Sequence, residues 1–253
     1  TLHGNGYPSP SEIDQLNLQW ADAGKNIGNL GNMIAMCDTS GSMFGDPLNA
    51  AVGLSLRVAE KSILGNRVLT FSANPKWIKL NTKNNFYINA NQIRQDSSWG
   101  MNTNFTAALN MILGAAESAK LSNKQVGELV LVIFSDMQID HQGNESLTQS
   151  MWSHIESLYK SKGYTKVPHI LFWNLRSTSG FPTLSSSKNS TMFSGFSAAL
   201  LNAFCNKGID FLNDCTPWSQ MTSLLDNPRY KVVTNSWYGT GIPEVLCDNA
   251  EKS

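Results

Sequence analysis

The sequence predicts a doubly wound, Rossmann-like α/β fold: a mostly parallel central sheet of strand order 3-2-1-4-5-6, one antiparallel edge strand, and helices on both faces. Two observations carry this. Short, wholly apolar runs recur at Met33 to Cys37, Leu129 to Phe134 and Ile170 to Trp173, as expected of strands buried on both faces of a parallel sheet. Stretches with apolar residues at helical spacing alternate with them, and such alternation builds right-handed β-α-β crossovers.

The elements follow in order. Residues 1–31, rich in Gly, Asn, Pro and Ser, read as an N-terminal arm or linker. Met33 to Cys37 is the first strand. Asp46 as N-cap and Pro47 at the first helical position open a helix that sets Leu48, Val52, Leu56, Ala59 and Ile63 on one face. Arg67 to Phe71 is a further strand and Trp77 to Leu80 the edge strand. A second helix carries Phe105, Leu109, Ile112, Leu113 and Ala116, and a third Leu147, Met151, Ile155 and Leu158. Beyond Trp173 the pattern predicts a Ser-rich loop from Ser177 to Ser190, a short strand near Met192 to Phe196, and helices around Ser197 to Phe204 and Pro217 to Leu225, the last ended by Pro228. The domain is expected to span 32–235 and a tail 236–253, with no internal repeat.

Composition narrows the function classes. With 253 residues the chain can bury one sizeable core, and 41% apolar against 15% charged residues describes a globular protein. The 19 basic and 19 acidic residues cancel, so nothing in the bulk charge draws in a nucleic-acid backbone or anionic lipid. The seven Trp residues have no accompanying basic stripe and are expected in the core rather than stacked on bases. No apolar run is long enough to span a bilayer and no signal-peptide layout opens the chain. The expectation is an intracellular protein that does not engage membranes, and a start at Thr1 rather than Met reads as a fragment of a longer one. The four cysteines form no C-x-x-C pair. Cys37, in the most apolar run, is expected as a buried thiol, and a bridge between Cys205 and Cys215 remains open. Sequons at Asn104, Asn144 and Asn189 would matter only after secretion.

The chemistry is concentrated where the first strand ends. Asp38-Thr39-Ser40-Gly41-Ser42 places three oxygen-bearing side chains, Asp38, Ser40 and Ser42, at alternate positions of one tight turn, and Gly41 lets the turn bend without a Cβ clash. Mg²⁺ takes about six oxygens in near-octahedral array. Alone, the pentapeptide could equally be a turn or a helix cap. Two distant elements strengthen it: Gly100-Met101-Asn102-Thr103-Asn104 before the second helix, and Ser135-Asp136 closing the Leu129 to Phe134 strand. In the 3-2-1-4-5-6 order, strands 1 and 4 are neighbours where the winding reverses, so Asp38 and Asp136 should face one crevice.

Here the sequence resembles a known family. Asp38-x-Ser40-x-Ser42, Thr103 in a T-N-x-T-x-A-L context and the strand-terminal Asp136 resemble the three-part metal-ion-dependent adhesion motif of von Willebrand factor type A (vWA) domains. Phe134-Ser135-Asp136-Met137-Gln138-Ile139-Asp140 is more similar still to the vWA module of the Ro (TROVE) group. With Phe172-Trp173-Asn174-Leu175-Arg176 and Ser194-Gly195-Phe196-Ser197 it also resembles a family from plants and giant viruses, in which the module follows a helical N-terminal region. The resemblance implies that Ser40, Ser42 and Thr103 bind Mg²⁺ or Mn²⁺ through hydroxyls, and that Asp38 and Asp136 act directly or through water. It further implies that a protein partner offers Glu or Asp as the last ligand, and that a helical region of the same longer protein is a second partner. If the source is viral, the location could be the virion.

Gln138, Asp140, Asn174 and Arg176, on loops after the fourth and fifth strands, are candidate partner contacts at the rim, with ordinary loop hydrogen bonding as the alternative. His141 is expected to be solvated. An Mg²⁺-dependent hydrolase is disfavoured, because Ser40 stands where phosphatases with a nucleophilic Asp carry a second acid, and neither a P-loop nor a G-x-S-x-G elbow occurs. The chain is expected not to be an enzyme. A Ro-like ribonucleoprotein component is the other alternative, with RNA bound only alongside the rest of such a protein.

Overall fold

A computed structural model describes residues 8–25, 30–95, 104–136, 149–176 and 189–195. Six strands form one sheet: β1 (Met33–Cys37), β2 (Arg67–Thr70), β3 (Trp77–Lys79), β4 (Val130–Ser135), β5 (His169–Asn174) and β6 (Ser190–Ser194). Their order is β3-β2-β1-β4-β5-β6. Only the β2–β3 pairing is antiparallel. This is the predicted doubly wound sheet, reversing its winding between β1 and β4.

The described helices are α1 (Pro10–Ala23), α2 (Asp46–Lys61), α3 (Phe86–Gln95), α4 (Phe105–Ser118), α5 (Asn123–Gly127) and α6 (Gln149–Ser161). Strand periodicity sorts the core into two layers, since successive side chains point to opposite faces. Ile34, Met36, Leu131, Ile133, Ile170 and Phe172 share one cluster with Phe105, Leu109 and Ile112 of α4 and with Ile155 and Tyr159 of α6. The alternate face of β1 and β4 packs on α2. Every residue of β1 and β4 is buried, which explains runs that are apolar throughout rather than alternating.

Three sequence expectations change. Part of the stretch read as an arm is a helix: Ser9 and Glu12 close a capping box at the start of α1, with Pro10 in its first turn. Its periodicity is weak because no α1 residue is fully buried. Trp20 is its main anchor, stacked on Phe86 at 4.3 Å, receiving the Arg57 guanidinium over its ring at 3.3 Å and donating its indole N–H to Glu60 Oε1 at 2.8 Å, and Asn17 Oδ1 accepts the Tyr87 N–H at 3.2 Å. Secondly, α2 is not capped by Asp46. Gly45 is its N-cap at φ +98°, Asp46 and Pro47 occupy its first turn, and the helix ends before Ile63. Thirdly, α2 is buried on more than one stripe, through Leu54, Ser55 and Arg57 as well as Val52, Leu56 and Ala59, because α3 and the α1 anchor cover its outer side.

Cys37 is a free buried thiol as expected, and burial pushes its pKa up to about 12, which makes it inert at neutral pH. Among the described residues no helix is long and apolar enough to cross a membrane. Leu147, Cys205, Cys215, Cys247, the two C-terminal helices and the domain boundary at 235 lie outside the described residues.

Candidate metal centre

The switch point is built by strand register. Cys37 pairs with Phe134, and the ladder runs one step further as the Asp38 N–H donates to Phe134 O at 3.0 Å. Asp38 therefore leaves the sheet beside Ser135. The Ser135 hydroxyl donates to Asp38 Oδ2 at 2.6 Å across 97 residues of sequence. Asp38 Oδ1 accepts the Ser40 N–H at 2.9 Å, which folds the turn back over the carboxylate. Each oxygen keeps lone-pair capacity beyond these bonds.

The turn is held from below. Gly41–Met43 forms a single 3-10 turn with Ser40 as its N-cap and Met43 buried. This brings the Ser40 and Ser42 hydroxyl oxygens to 3.0 Å from each other. Both serines are half-buried and Gly41 is exposed, so hydroxyls stand at the mouth and carboxylates below. Asp38 and Asp136 are only 2% and 1% exposed. Burial pushes the Asp38 carboxyl above the ordinary range, hydrogen bonds from Ser135 and Ser40 pull it down, and the nearby Asp136 raises it. No Lys or Arg among the described residues is a cause of that shift.

This donor set fits a small hard cation. It consists of carboxylate and hydroxyl oxygens alone, the ligand type that Mg²⁺ takes, with the Ser40 and Ser42 hydroxyls hydrogen-bonded to each other at 3.0 Å. Two buried carboxylates close together are costly without a compensating positive charge. Among the described residues no group of three or more His, Cys, Asp or Glu could hold a metal, so a centre here has to draw on Ser as well as Asp.

Of the predicted ligands, Asp38, Ser40, Ser42 and Asp136 stand at the carboxyl edge of β1 and β4. Thr103 lies outside the described residues, as do Gln138, Asp140 and His141. The residue after Thr103 is described: the Asn104 N–H donates to Ser72 O at 3.3 Å, just past the end of β2, and the Asn104 side chain caps α4 by accepting the Ala107 N–H at 2.8 Å. The segment entering α4 thus reaches the same edge of the sheet.

The rim residues divide. Asn174 is buried and its Oδ1 accepts the Arg176 N–H at 3.0 Å, so it shapes the turn after β5. Arg176 is exposed and donates from Nη2 to Phe44 O at 3.1 Å, tying that turn to the metal-loop segment. Two residues take roles here that their sequence context did not assign. Ser135 orients Asp38, and only the β1–β4 register could reveal this. Phe44 is 79% exposed, and its only signal was an aromatic residue in a loop.

Comparison with known proteins agrees with this architecture. The chain is 33% identical over 208 residues to uncharacterized protein L728 of Acanthamoeba polyphaga mimivirus, an alignment that covers 79% of this chain and 36% of that protein. Its fold is similar to that of the Ro (RSR) protein of Deinococcus radiodurans, with a TM-score of 0.55 and 18% identity over 81% of this chain and 40% of the other. The chain therefore spans about two fifths or less of these relatives' lengths. The model of a family described as a domain of unknown function (DUF7788) matches residues 32–224, which takes in the whole described sheet together with Asp38, Ser40, Ser42 and Asp136, and the chain belongs to that family.

Proposed function

We propose that this chain is a vWA-type binding module that holds Mg²⁺ or Mn²⁺ at the carboxyl edge of β1 and β4 and uses it to recognise an acidic group on a protein partner, without turnover. The observation that carries this reading is the pairing of two buried carboxylates, Asp38 and Asp136, with two hydroxyls 3.0 Å apart at the mouth above them. Ser40 and Ser42 would be direct ligands, Asp136 and Asp38 would balance the charge directly or through water, and Thr103 joins them by resemblance. Bound mainly by neutral hydroxyls, the cation would keep enough positive charge to attract a carboxylate. Ser135 would orient Asp38, and Asn174 would hold the rim loop.

Calorimetric titration with Mg²⁺ and Mn²⁺ tests the reading. Asp38→Ala and Asp136→Ala should each abolish binding while circular dichroism stays native. Ser135→Ala should weaken binding by roughly 10- to 100-fold, the usual cost of losing a residue that orients a ligand. Equal affinity in wild type and both Asp variants would sink the metal site. A pull-down from the native host with and without EDTA then asks for the partner.

A second reading is a component of a ribonucleoprotein, favoured by the fold shared with the Ro protein. The 19 basic and 19 acidic residues cancel, so the chain has no net positive charge to draw in RNA. Salt-dependent binding of a small RNA to this chain would favour it over the adhesion reading.

A further inference from the structure

Phe44 stands next to the candidate metal turn with its side chain in water. It is the most exposed of the large apolar residues described, at 79%, yet its backbone is pinned on both sides. Its N–H donates to Gly41 O at 3.2 Å, its carbonyl accepts Arg176 Nη2 at 3.1 Å, the preceding Met43 is fully buried, and the following Gly45 takes φ +98°. The loop does not expose Phe44 by being loose. It presents an aromatic ring two residues from Ser42, with the Arg176 guanidinium from the turn after β5 on the same residue's carbonyl.

A fixed exposed aromatic loses little conformational freedom on binding, and such residues dominate interface energetics. The Arg176 guanidinium and a cation at the turn would both favour a partner carboxylate, and would have to outweigh the exposed carboxylate of Asp46 two residues on. Two residues span at most about 7 Å of chain, so one short partner segment can reach both the turn and the ring.

We propose that Phe44 and Arg176 form a specificity surface beside the metal centre, fitted to a protein segment in which an Asp or Glu has a bulky apolar residue within about two positions. The acid would address the cation, the apolar side chain would cover the Phe44 ring, and Arg176 would reinforce the choice of an acidic segment. This rests on the metal-adhesion reading and names the partner chemistry it selects.

The test uses the whole chain and an array of short Ala-based peptides carrying one Glu or Asp, with Leu, Phe, Ser or Lys at each of the two positions on either side, probed in Mg²⁺ and in EDTA. Leu- or Phe-flanked acids should bind at least about fivefold more tightly than Ser-flanked ones, the scale on which truncating an interface anchor registers. Phe44→Ser should bring that preference to within about twofold while leaving the Mg²⁺ affinity and Tm unchanged. An undiminished apolar preference in Phe44→Ser, or none in wild type despite Mg²⁺-dependent binding of acidic peptides, would overturn the Phe44 surface and leave the metal reading standing. A preference that needs Phe44 but ignores EDTA would uphold the surface and overturn the metal reading. Failure of every acidic peptide to bind in either condition would overturn both.

Discussion

Asp38 is a residue at which the stability of the fold and the proposed metal site make opposite demands. Its carboxyl lies at the end of an apolar strand, accepts hydrogen bonds from Ser40 and Ser135, and has Asp136 for a neighbour. Burial and that neighbour raise its pKa, so the ionised form is disfavoured in the fold relative to the unfolded chain. At neutral pH, without metal, the folded state therefore carries a penalty that the uncharged amide would not. Asp38→Asn should accordingly raise the Tm measured in EDTA by a few degrees, the scale on which ~1 kcal/mol registers in a chain of this length. The same variant should lose the response to Mg²⁺. Thermal melts of both proteins with and without Mg²⁺ check it, and a lower Tm for the variant in EDTA would show that its hydrogen bonds outweigh the charge. The grouping of Asp38, Ser40 and Ser42 was legible in the sequence, because one tight turn brings them together. Ser135 was not legible as a partner of Asp38, because a hydrogen bond across 97 residues depends on strand register.

Among the elements, α1 makes the sharpest case for tertiary context. A helix of this length is marginal by itself in water, and α1 has no buried residue to hold it by a continuous stripe. Its attachment centres on Trp20, which meets Phe86, Arg57 and Glu60 at once, with Asn17 Oδ1 accepting the Tyr87 N–H at 3.2 Å as a second link to α3. Trp20→Ala should lower unfolding stability by roughly 2 to 4 kcal/mol, combining a lost aromatic stack, a lost cation–π contact and lost burial. It should also strip hydrogen-exchange protection from Pro10–Ala23 while leaving β1 and β4 protected. Denaturant unfolding and exchange measured together decide this, and persistent protection of α1 would show that other contacts hold it. The strands and the helices α2, α4 and α6 were readable because their apolar residues repeat at the period of the element. The helix α3 was not read, since only Ala90 and Ile93 are buried in it. The burial of Arg57 was equally hidden, because the residue type argues for the surface and its position is accounted for by the Trp20 ring above it, the Glu60 carboxylate at 3.0 Å and the Trp20 carbonyl.

For the molecule as a whole, metal binding and folding should be linked through the β1–β4 seam. A ligand that binds only the native state stabilises it by about 2.7 kcal/mol at 100 times its Kd. Saturating Mg²⁺ should therefore raise the wild-type Tm by several degrees, EDTA should reverse the change, and Asp136→Ala should show neither. Scanning calorimetry at several Mg²⁺ concentrations tests this, and a Tm indifferent to Mg²⁺ would count against a native-state site.

The local sequence alone determined the alternation of strand and helix, the strand order and the turn chemistry of Asp38 to Ser42. Each of these is recorded in residue types and periods within short stretches, or follows from the few ways such stretches can be wound. The tertiary structure alone decided that Ser135 meets Asp38, that α1 and α3 close over α2, and that Arg176 pins Phe44 facing water beside the Asp38 to Ser42 turn. Those outcomes join distant segments through strand register and side-chain packing, which are settled by the sum of many contacts and leave no signature at any single position.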